Sequence, residues 1–140
     1  MTDGEISSYM KKVSGFMVGS FILWIIIVCY QLIAGIFTMF WGYGIGTLLL
    51  MVYNLIGCIR YAKQISVIRN CSTKDEAAWV VRYFENSIPI CWVFLFVNLI
   101  FGGVLGFAGN LYDLILAYRV KKKKDELLGQ TFYGNYREEP

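Results

Sequence analysis

The sequence predicts an all-α integral membrane protein with four transmembrane helices, arranged as two helical hairpins that a cytoplasmic amphipathic linker helix joins. Two stretches predict the membrane: residues 13–59 carry no charged side chain, and residues 86–118 carry only Asp113. The composition agrees, because 57% of the 140 residues are hydrophobic, against roughly 45–50% in soluble domains. A water-soluble fold of this size cannot bury so much apolar sequence, so the bilayer is the expected solvent.

The first apolar stretch, residues 13–61, is too long for one span and suits two, since about 20 apolar helical residues cross a bilayer core roughly 30 Å thick. Three alternating glycines weaken the helix within residues 40–46, where Trp41 favours the membrane–water interface. The sequence therefore predicts one helix over residues 13–39 and a second over residues 44–61.

The second apolar stretch, residues 88–120, fits either one long tilted helix or two short ones, because glycines crowd residues 102–109. Cytoplasmic loops collect Lys and Arg, and only a double crossing puts all basic zones on one side. We therefore predict two short helices of about 15–17 residues, which span roughly 23–25 Å at 1.5 Å per residue. This second hairpin must tilt, thin the bilayer or stop short of the far side.

Three basic zones flank the apolar stretches, in the amino-terminal segment 1–12, in the linker and in the tail 121–140. Their members are Lys11, Lys12, Arg60, Lys63, Arg69, Lys74, Arg82, Arg119, Lys121, Lys122, Lys123 and Lys124. Both termini and the linker are thus expected in the cytoplasm, at the plasma (inner) membrane, with no cleaved signal peptide. The net charge of +3 indicates anionic lipid headgroups as partners of the four tail lysines, and not nucleic acid.

The linker, residues 62–87, contains a predicted capping box at Ser72 or Thr73, with an acid three residues later. A short amphipathic helix follows over residues 74–86. Its apolar side chains on one face are Ala77, Val80, Val81 and Phe84. Two interpretations stay open: the helix lies on the cytoplasmic membrane surface, or it packs on the other helices. Pro89 is placed in the first turn of the third membrane helix, where a missing N–H is harmless.

The two hairpins resemble each other. Both end in the pattern Y-[ND]-L-I-x-x-x-R, which begins at Tyr53 and at Tyr112. Trp24 and Trp92 each precede an amide side chain by seven or six residues. This indicates an internal duplication of parallel hairpins. The alternative is that Tyr and Arg mark the cytoplasmic interface independently in each hairpin.

A small and polar face on the fourth helix is formed by Gly106, Asn110, Asp113 and Ala117, which recur at helical spacing. Small residues and buried polar groups drive helix packing in lipid, so this face is expected to point into the bundle. Asn98 lies at a similar predicted depth on the third helix. We expect it to hydrogen-bond to Asn110 across the hairpin.

Asp113 is the one acid within an apolar stretch. An intramembrane carboxylate suggests ion binding or proton transfer. Because it lies about six residues, near 9 Å, from the cytoplasmic end, a structural role is preferred. Asn54, Arg60 or a tyrosine hydroxyl is then its expected partner. Asn54, the matching residue of the first hairpin, completes the candidate intramembrane site with Asn98, Gly106, Asn110 and Asp113.

Enzyme chemistry is not expected. The chain has no histidine, which removes the commonest general base and metal ligand. Its four cysteines are scattered without a CxxC pair and are expected to be free thiols. It has no GxSxG, no HExxH and no phosphate-binding loop. We expect no catalytic residue, no cofactor and no metal.

The favoured function is a non-enzymatic membrane subunit, self-associating or accessory to a larger transport or channel complex. The alternative is a small oligomeric pore, as in holin-like or defence effector proteins, lined by Asn98, Asn110 and Asp113. The length and helix number are similar to those of small multidrug resistance transporters. Those have a membrane-buried glutamate in their first helix, whereas this first helix contains no acid, so this resemblance is rejected.

Overall fold

The computed structural model describes residues 1–129, and this part of the chain is helical without any β-strand. The α-helices are α1 (Asp3–Phe37), α2 (Tyr43–Arg69), α3 (Lys74–Phe101), α4 (Gly103–Lys122) and α5 (Lys124–Leu128), with one 3₁₀ turn at Met39–Trp41. The all-α prediction is confirmed for these residues. The tail predicted over residues 121–140 is described only as far as residue 129, where its residues Lys124–Leu128 form α5; the rest of it lies outside the described residues.

Two helices begin at capping boxes. At the start of α3, the Thr73 side chain accepts a hydrogen bond from the Glu76 backbone N–H, and the Glu76 carboxylate accepts one from the Thr73 backbone N–H. This confirms the predicted cap and selects Thr73 over Ser72. Thr2 and Glu5 form the same pair at the start of α1. The amino-terminal segment, expected to precede the first helix, is therefore its first turns.

The linker differs from the prediction, because no separate surface helix lies between the hairpins. α2 continues to Arg69, and α3 runs without a break from Lys74 through Pro89 to Phe101. Proline removes one hydrogen bond from the helix, and its ring crowds the carbonyl one turn earlier, but both flanking segments of α3 pack on other helices and the helix continues. Of the two open interpretations, the packed helix is the one found, with its apolar face buried in a core shared with α1, α2, α4 and α5.

The helices form two antiparallel hairpins, α1–α2 and α3–α4, as predicted. Gly42 and Gly103 take positive φ angles of 72° and 65° at the two turns, a conformation that disfavours side chains with a Cβ. Near the first turn, Gly35 and Gly44 let the backbones of α1 and α2 meet, because a Cβ on Gly44 would collide with the backbone of Gly35 and Met39. We call the end with the two turns the tip end.

Three helices, α1, α2 and α3, are long and apolar enough to cross a membrane. The hairpin α3–α4 is the shorter one, and its turn lies beside Gln31 of α1: a Cβ on Gly102 would come within 2.6 Å of the Gln31 Nε2 atom. α1 continues six residues beyond Gln31, to Phe37, which is roughly 9 Å at 1.5 Å per residue. The turn of the shorter hairpin therefore stops short of the turn of the first one, and the three outcomes expected for it in a bilayer stay predictions.

The amino terminus, the α2–α3 turn and α5 meet at the opposite end, which we call the terminal end. There the Met1 amino group donates to the Glu126 carbonyl oxygen at 3.0 Å. An apolar core fills this end, made of Ile6, Met10, Val13, Met17, Ile68, Cys71, Ala77, Val80, Val81, Phe84, Leu116, Ala117, Val120, Leu127 and Leu128. Every helix contributes to it, so it joins the two hairpins.

Candidate functional site

The middle of the bundle contains a cluster of three buried amides, one from each of α1, α2 and α3. The Gln31 Nε2–H donates to Asn98 Oδ1 at 3.1 Å, and the Asn54 Nδ2–H donates to Gln31 Oε1 at 2.9 Å and to Asn98 Oδ1 at 3.2 Å. Gln31 and Asn98 are fully buried and Asn54 nearly so. Since an unpaired buried amide is costly, these mutual bonds tie the two hairpins together.

Glycines bring the α3–α4 turn onto this amide cluster. A Cβ on Gly106 would lie 2.8 Å from Asn98 Oδ1 and 3.0 Å from its Cβ, and Gly102 is equally close. The Thr47 hydroxyl of α2 donates to the Phe101 carbonyl oxygen at 3.0 Å, which satisfies a carbonyl at the end of α3 that has no partner within the helix. The turn is thus held by side chains of the first hairpin.

Asp113 lies one layer nearer the terminal end and accepts hydrogen bonds from three side chains. The Ser20 hydroxyl donates to its Oδ1 atom, the Trp24 Nε1–H donates to Oδ2 at 2.6 Å, and the Tyr61 hydroxyl makes a longer bond of 3.5 Å to Oδ1. The expected tyrosine partner is therefore present. Of the other two predicted partners, Asn54 is engaged in the amide cluster instead, and Arg60 forms no ion pair with Asp113 within residues 1–129.

Asn110 does not bond to Asn98, contrary to the prediction. Its Nδ2–H donates to the Phe94 carbonyl oxygen of α3 at 3.2 Å and to the Gly106 carbonyl oxygen of its own helix at 3.3 Å. The reason is register: Gly106, one turn away on α4, is the residue that lies against Asn98. The amide side chain still crosses the hairpin, but it reaches backbone.

The candidate site residues thus separate into two groups. Asn54, Asn98 and Gly106 meet at the amide cluster, whereas Asp113 bonds to α1 and α2 and Asn110 bonds to α3 and its own helix. The predicted polar face of α4 does point inward. The suggested duplication stays a hypothesis, because its matched residues Asn54 and Asp113 contact different partners.

Sequence reasoning missed the polar residues of α1 that receive these groups. Ser20, Trp24 and Gln31 lie four and seven residues apart, which puts them on one face of the helix. That spacing was visible in the sequence. Thr47 was missed as well, and only the folded chain brings it to the end of α3.

A cavity of about 150 Å³ lies among α1, α2, α3 and α4, and Asn54 of the amide cluster, Asn110 and Asp113 all line it. Its walls are formed by Phe21, Trp24, Tyr53, Asn54, Gly57, Cys58, Tyr61, Ile90, Cys91, Phe94, Asn110 and Asp113. Tyr53 and Phe94 stack across it, with ring centroids 4.3 Å apart and planes nearly parallel at 7°. A Cβ on Gly57 would meet no atom within 4 Å, so the missing side chain leaves the cavity open.

A second cavity of about 480 Å³ continues this space toward the terminal end. The two share Tyr53, Gly57, Tyr61 and Ile90, and the outer one is also lined by Arg60, Trp79, Arg82, Tyr83, Asn86 and Ser87. Together they form one groove along the α2–α3 contact, which we call the α2–α3 groove. It is apolar and aromatic along its length, polar at its inner end and basic at its outer end.

The lysines expected to bind headgroups are not all available for that role. Lys124 contacts Glu85 of α3 at 2.8 Å, and Lys123 contacts Glu126 at 2.6 Å. Lys121 and Lys122 are exposed. Half of the run therefore fastens α5 and the end of α4 within the chain.

No protein-family model, no curated protein and no solved structure matches this chain. Its function must therefore be inferred from the contacts, cavities and charges of residues 1–129.

Proposed function

We propose that the chain is a non-enzymatic integral membrane protein that serves as an accessory subunit of a larger membrane complex, with its terminal end in the cytoplasm. The observation that carries this proposal is the distribution of buried polar groups. In the described residues, the fully buried amides lie in the apolar stretches, whereas the largest apolar core lies at the terminal end, beside the charged residues.

This distribution is what a bilayer demands. In lipid, apolar side chains have no reason to leave the surface, and polar groups must find partners inside the protein. Large apolar side chains are indeed exposed along α1 from Phe16 to Phe37, and Phe40 and Trp41 at the first turn are 93% and 87% exposed. In water such a surface would cause aggregation.

We further propose that α3–α4 completes a four-helix arrangement by entering the membrane from the cytoplasmic side without reaching the far side. Non-helical backbone at membrane depth is tolerated only where protein satisfies it. The Thr47 hydroxyl donates to the Phe101 carbonyl, the Gly102 N–H donates to the Asn98 carbonyl, and the Gly102 carbonyl accepts from the Gly106 N–H, which together supply that satisfaction. The basic zones cluster at the terminal end, which supports the cytoplasmic orientation and headgroup contacts for Lys121 and Lys122.

A subunit is favoured over a pore because the Asp113 carboxylate and the Asn98 Oδ1 atom, which would line a pore, accept hydrogen bonds within one chain. Asp113 accepts from three donors, and Asn98 accepts from two amides. Two small residues of α1 and α4 are also in contact within the chain: Gly19 lies on Tyr112, and Gly106 lies on Asn98. The outer apolar surface is what is left for a partner subunit.

Native mass spectrometry of the protein, purified in mild detergent from its own membranes, tests the assignment. We expect the chain in fixed stoichiometry with a second, larger membrane protein. A homo-oligomer that conducts ions in liposomes would contradict the subunit proposal and support the pore hypothesis in its place.

Orientation is tested by cysteine labelling in intact cells. Cys71 is unsuitable as a reporter, because it is buried and its thiol is unreactive. Burial is the main cause that raises the pKa of this thiol to about 11, and the nearby Glu76 charge adds to it. Ser72→Cys and Phe40→Cys are exposed replacements at opposite ends. An impermeant reagent should label Phe40→Cys only; labelling of Ser72→Cys alone would reverse the orientation.

A further inference from the structure

We propose that the α2–α3 groove binds one anionic phospholipid of the surrounding bilayer, with the phosphate between Arg60 and Arg82 and part of one acyl chain in the inner cavity. This inference rests on the membrane placement proposed above. It adds a defined ligand, a site and a stoichiometry that the subunit assignment does not contain.

The groove exists because the hairpins are joined unevenly. At the terminal end the shared apolar core holds them together, and the amide cluster and Thr47 hold them near the tip of α3–α4. Between these points α2 and α3 face each other across Gly57, where no side chain fills the gap. The stacked rings of Tyr53 and Phe94 close the gap on the side of the tip.

The outer end of the groove suits a phosphate. Arg60 and Arg82 come from different helices, are both exposed and line the same cavity. Among residues 1–129 neither forms a salt bridge, since the ion pairs found there are Lys123–Glu126 and Lys124–Glu85. Two arginines that line one space without an acidic partner can both donate hydrogen bonds to the phosphate of an anionic headgroup.

The aromatic residues beside these arginines set the depth. Trp79 and Tyr83 line the outer cavity and stack on each other, with ring centroids 5.9 Å apart. Trp and Tyr are enriched at the level of lipid headgroups. On the proposed orientation, Arg60 and Arg82 therefore lie at the cytoplasmic interface, where anionic lipids are available.

The remainder of the groove suits a hydrocarbon chain. From the arginines the space runs past Gly57 and Ile90 into the inner cavity, whose walls near α3 are Cys91 and Phe94. Asp113 at its base directs its oxygens at Ser20, Trp24 and Tyr61. The carboxylate is thus engaged with the protein. Tyr53 and Ile90 are exposed at the edge of the groove. The rest of the acyl chain can therefore leave the groove between them and enter the bilayer.

A second copy of the chain is a poorer occupant. A twofold contact through this groove would use the same patch on both copies, which would bring two Arg60 and Arg82 pairs together without an acid between them. Like charges at such distances repel. A lipid instead places its negative charge at the basic outer end of the groove and its apolar tail in the apolar part.

The test uses the full-length protein in a zwitterionic detergent, titrated with phosphatidylglycerol or with phosphatidylcholine of the same acyl chains. Native mass spectrometry should show one phosphatidylglycerol retained per chain, and a higher melting temperature with it. Arg60→Gln/Arg82→Gln should weaken retention about tenfold or more and abolish the preference over phosphatidylcholine. Gly57→Leu should block both lipids, because its side chain fills the open gap.

Two variants serve as matched controls. Lys11→Gln/Lys12→Gln removes the same charge from exposed positions of α1 at the same end, and Gly15→Leu adds the same bulk where a Cβ also meets nothing within 4 Å. Both should retain the lipid like the unchanged protein. The lipid site is refuted if the lysine control loses phosphatidylglycerol equally, or if Gly57→Leu still binds it.

The same spectra separate this inference from the subunit assignment. If no lipid is retained while the partner protein is, only the groove proposal fails. If the lipid is retained specifically while no partner is found, only the subunit proposal fails. If the protein forms a dimer and Gly57→Leu disrupts it, the groove binds a second copy of the chain, and the lipid proposal is wrong.

Discussion

The terminal end and the middle of this bundle bury opposite kinds of side chain. At the terminal end, Ile6, Met10 and Phe84 are buried among other apolar residues, while lysines and acids lie on the surface. In the middle, Gln31 and Asn98 are buried, while Ile22 and Phe96 are more than half exposed. One chain thus follows the packing rule of a water-soluble protein at one end and the rule of a membrane protein a few turns away.

On the proposed membrane placement, this difference marks where the solvent changes from water to lipid. Burial of apolar surface stabilises only the part of a protein that water surrounds, whereas pairing of polar groups is required where lipid surrounds it. Ser20, Tyr61 and Asp113 lie at the transition between the two regions. On the proposed placement this layer marks the cytoplasmic boundary of the hydrocarbon core, and mutations on its two sides should behave differently.

The largest effect is expected in the apolar core. Phe84→Ala removes a ring that is 3% exposed and should lower the free energy of unfolding by about 3–5 kcal/mol. Phe96→Ala on the same helix, where the ring is 58% exposed, should change it little. Equilibrium unfolding in detergent measures both. Equal losses would mean that the terminal end is not a water-driven core.

Gly106→Leu should destabilise the middle of the bundle by about 1–3 kcal/mol, the usual range for overpacking, because the new side chain meets Asn98 at once. Because this contact lies within the chain, we expect a lower melting temperature with an unchanged mass by size-exclusion chromatography, while Gly15→Leu stays neutral. A lost oligomer at unchanged melting temperature would contradict this.

Asp113→Leu should lower stability by about 1–3 kcal/mol, because it leaves the buried donors of Ser20 and Trp24 without an acceptor. Asp113→Asn keeps one oxygen and presents an NH₂ group to the indole N–H, so it should lose about 0.6 kcal/mol. A double-mutant cycle with Trp24→Phe isolates that bond. Should the two variants be equally damaging, the charge of Asp113 itself would matter, and ion binding would return as a hypothesis.

The smallest effect is expected at the exposed cap of α3. Hydrogen bonds from the backbone N–H of Ser72 and of Thr73 lower the pKa of Glu76 from 4.5. The charged form is thus favoured in the fold, and its contribution is complete above pH 4.5 and is lost as the pH falls through the lowered pKa. Melting temperatures between pH 7 and pH 3 should fall less for Glu76→Gln than for the unchanged protein. Parallel curves would show that the cap carries no charge-dependent stability.

Much of the helical organisation could be predicted from the sequence. The glycine-rich breaks, the Thr73 cap and the inward face of α4 follow from local rules of helix ending and periodicity. The continuity of α3 through Pro89 could not be predicted, because proline disfavours the interior of a helix and only the packing of α3 on other helices keeps it unbroken there. The predicted bonding partner of Asn110 was wrong for a similar reason. The register in which two helices pack cannot be deduced from the sequence of either helix alone.

The apolar composition, the number of helical hairpins and the end of the bundle that carries the charge follow from the sequence, because these depend on composition and on order along the chain. Which polar groups meet depends on the docking of the two hairpins. Gln31, Asn54 and Asn98 lie on three helices and far apart in sequence, and their cluster depends on the angle and offset at which the hairpins dock. The α2–α3 groove also depends on how the hairpins dock. Gly57 is one glycine among 14, and it leaves a gap only because α3 lies opposite it.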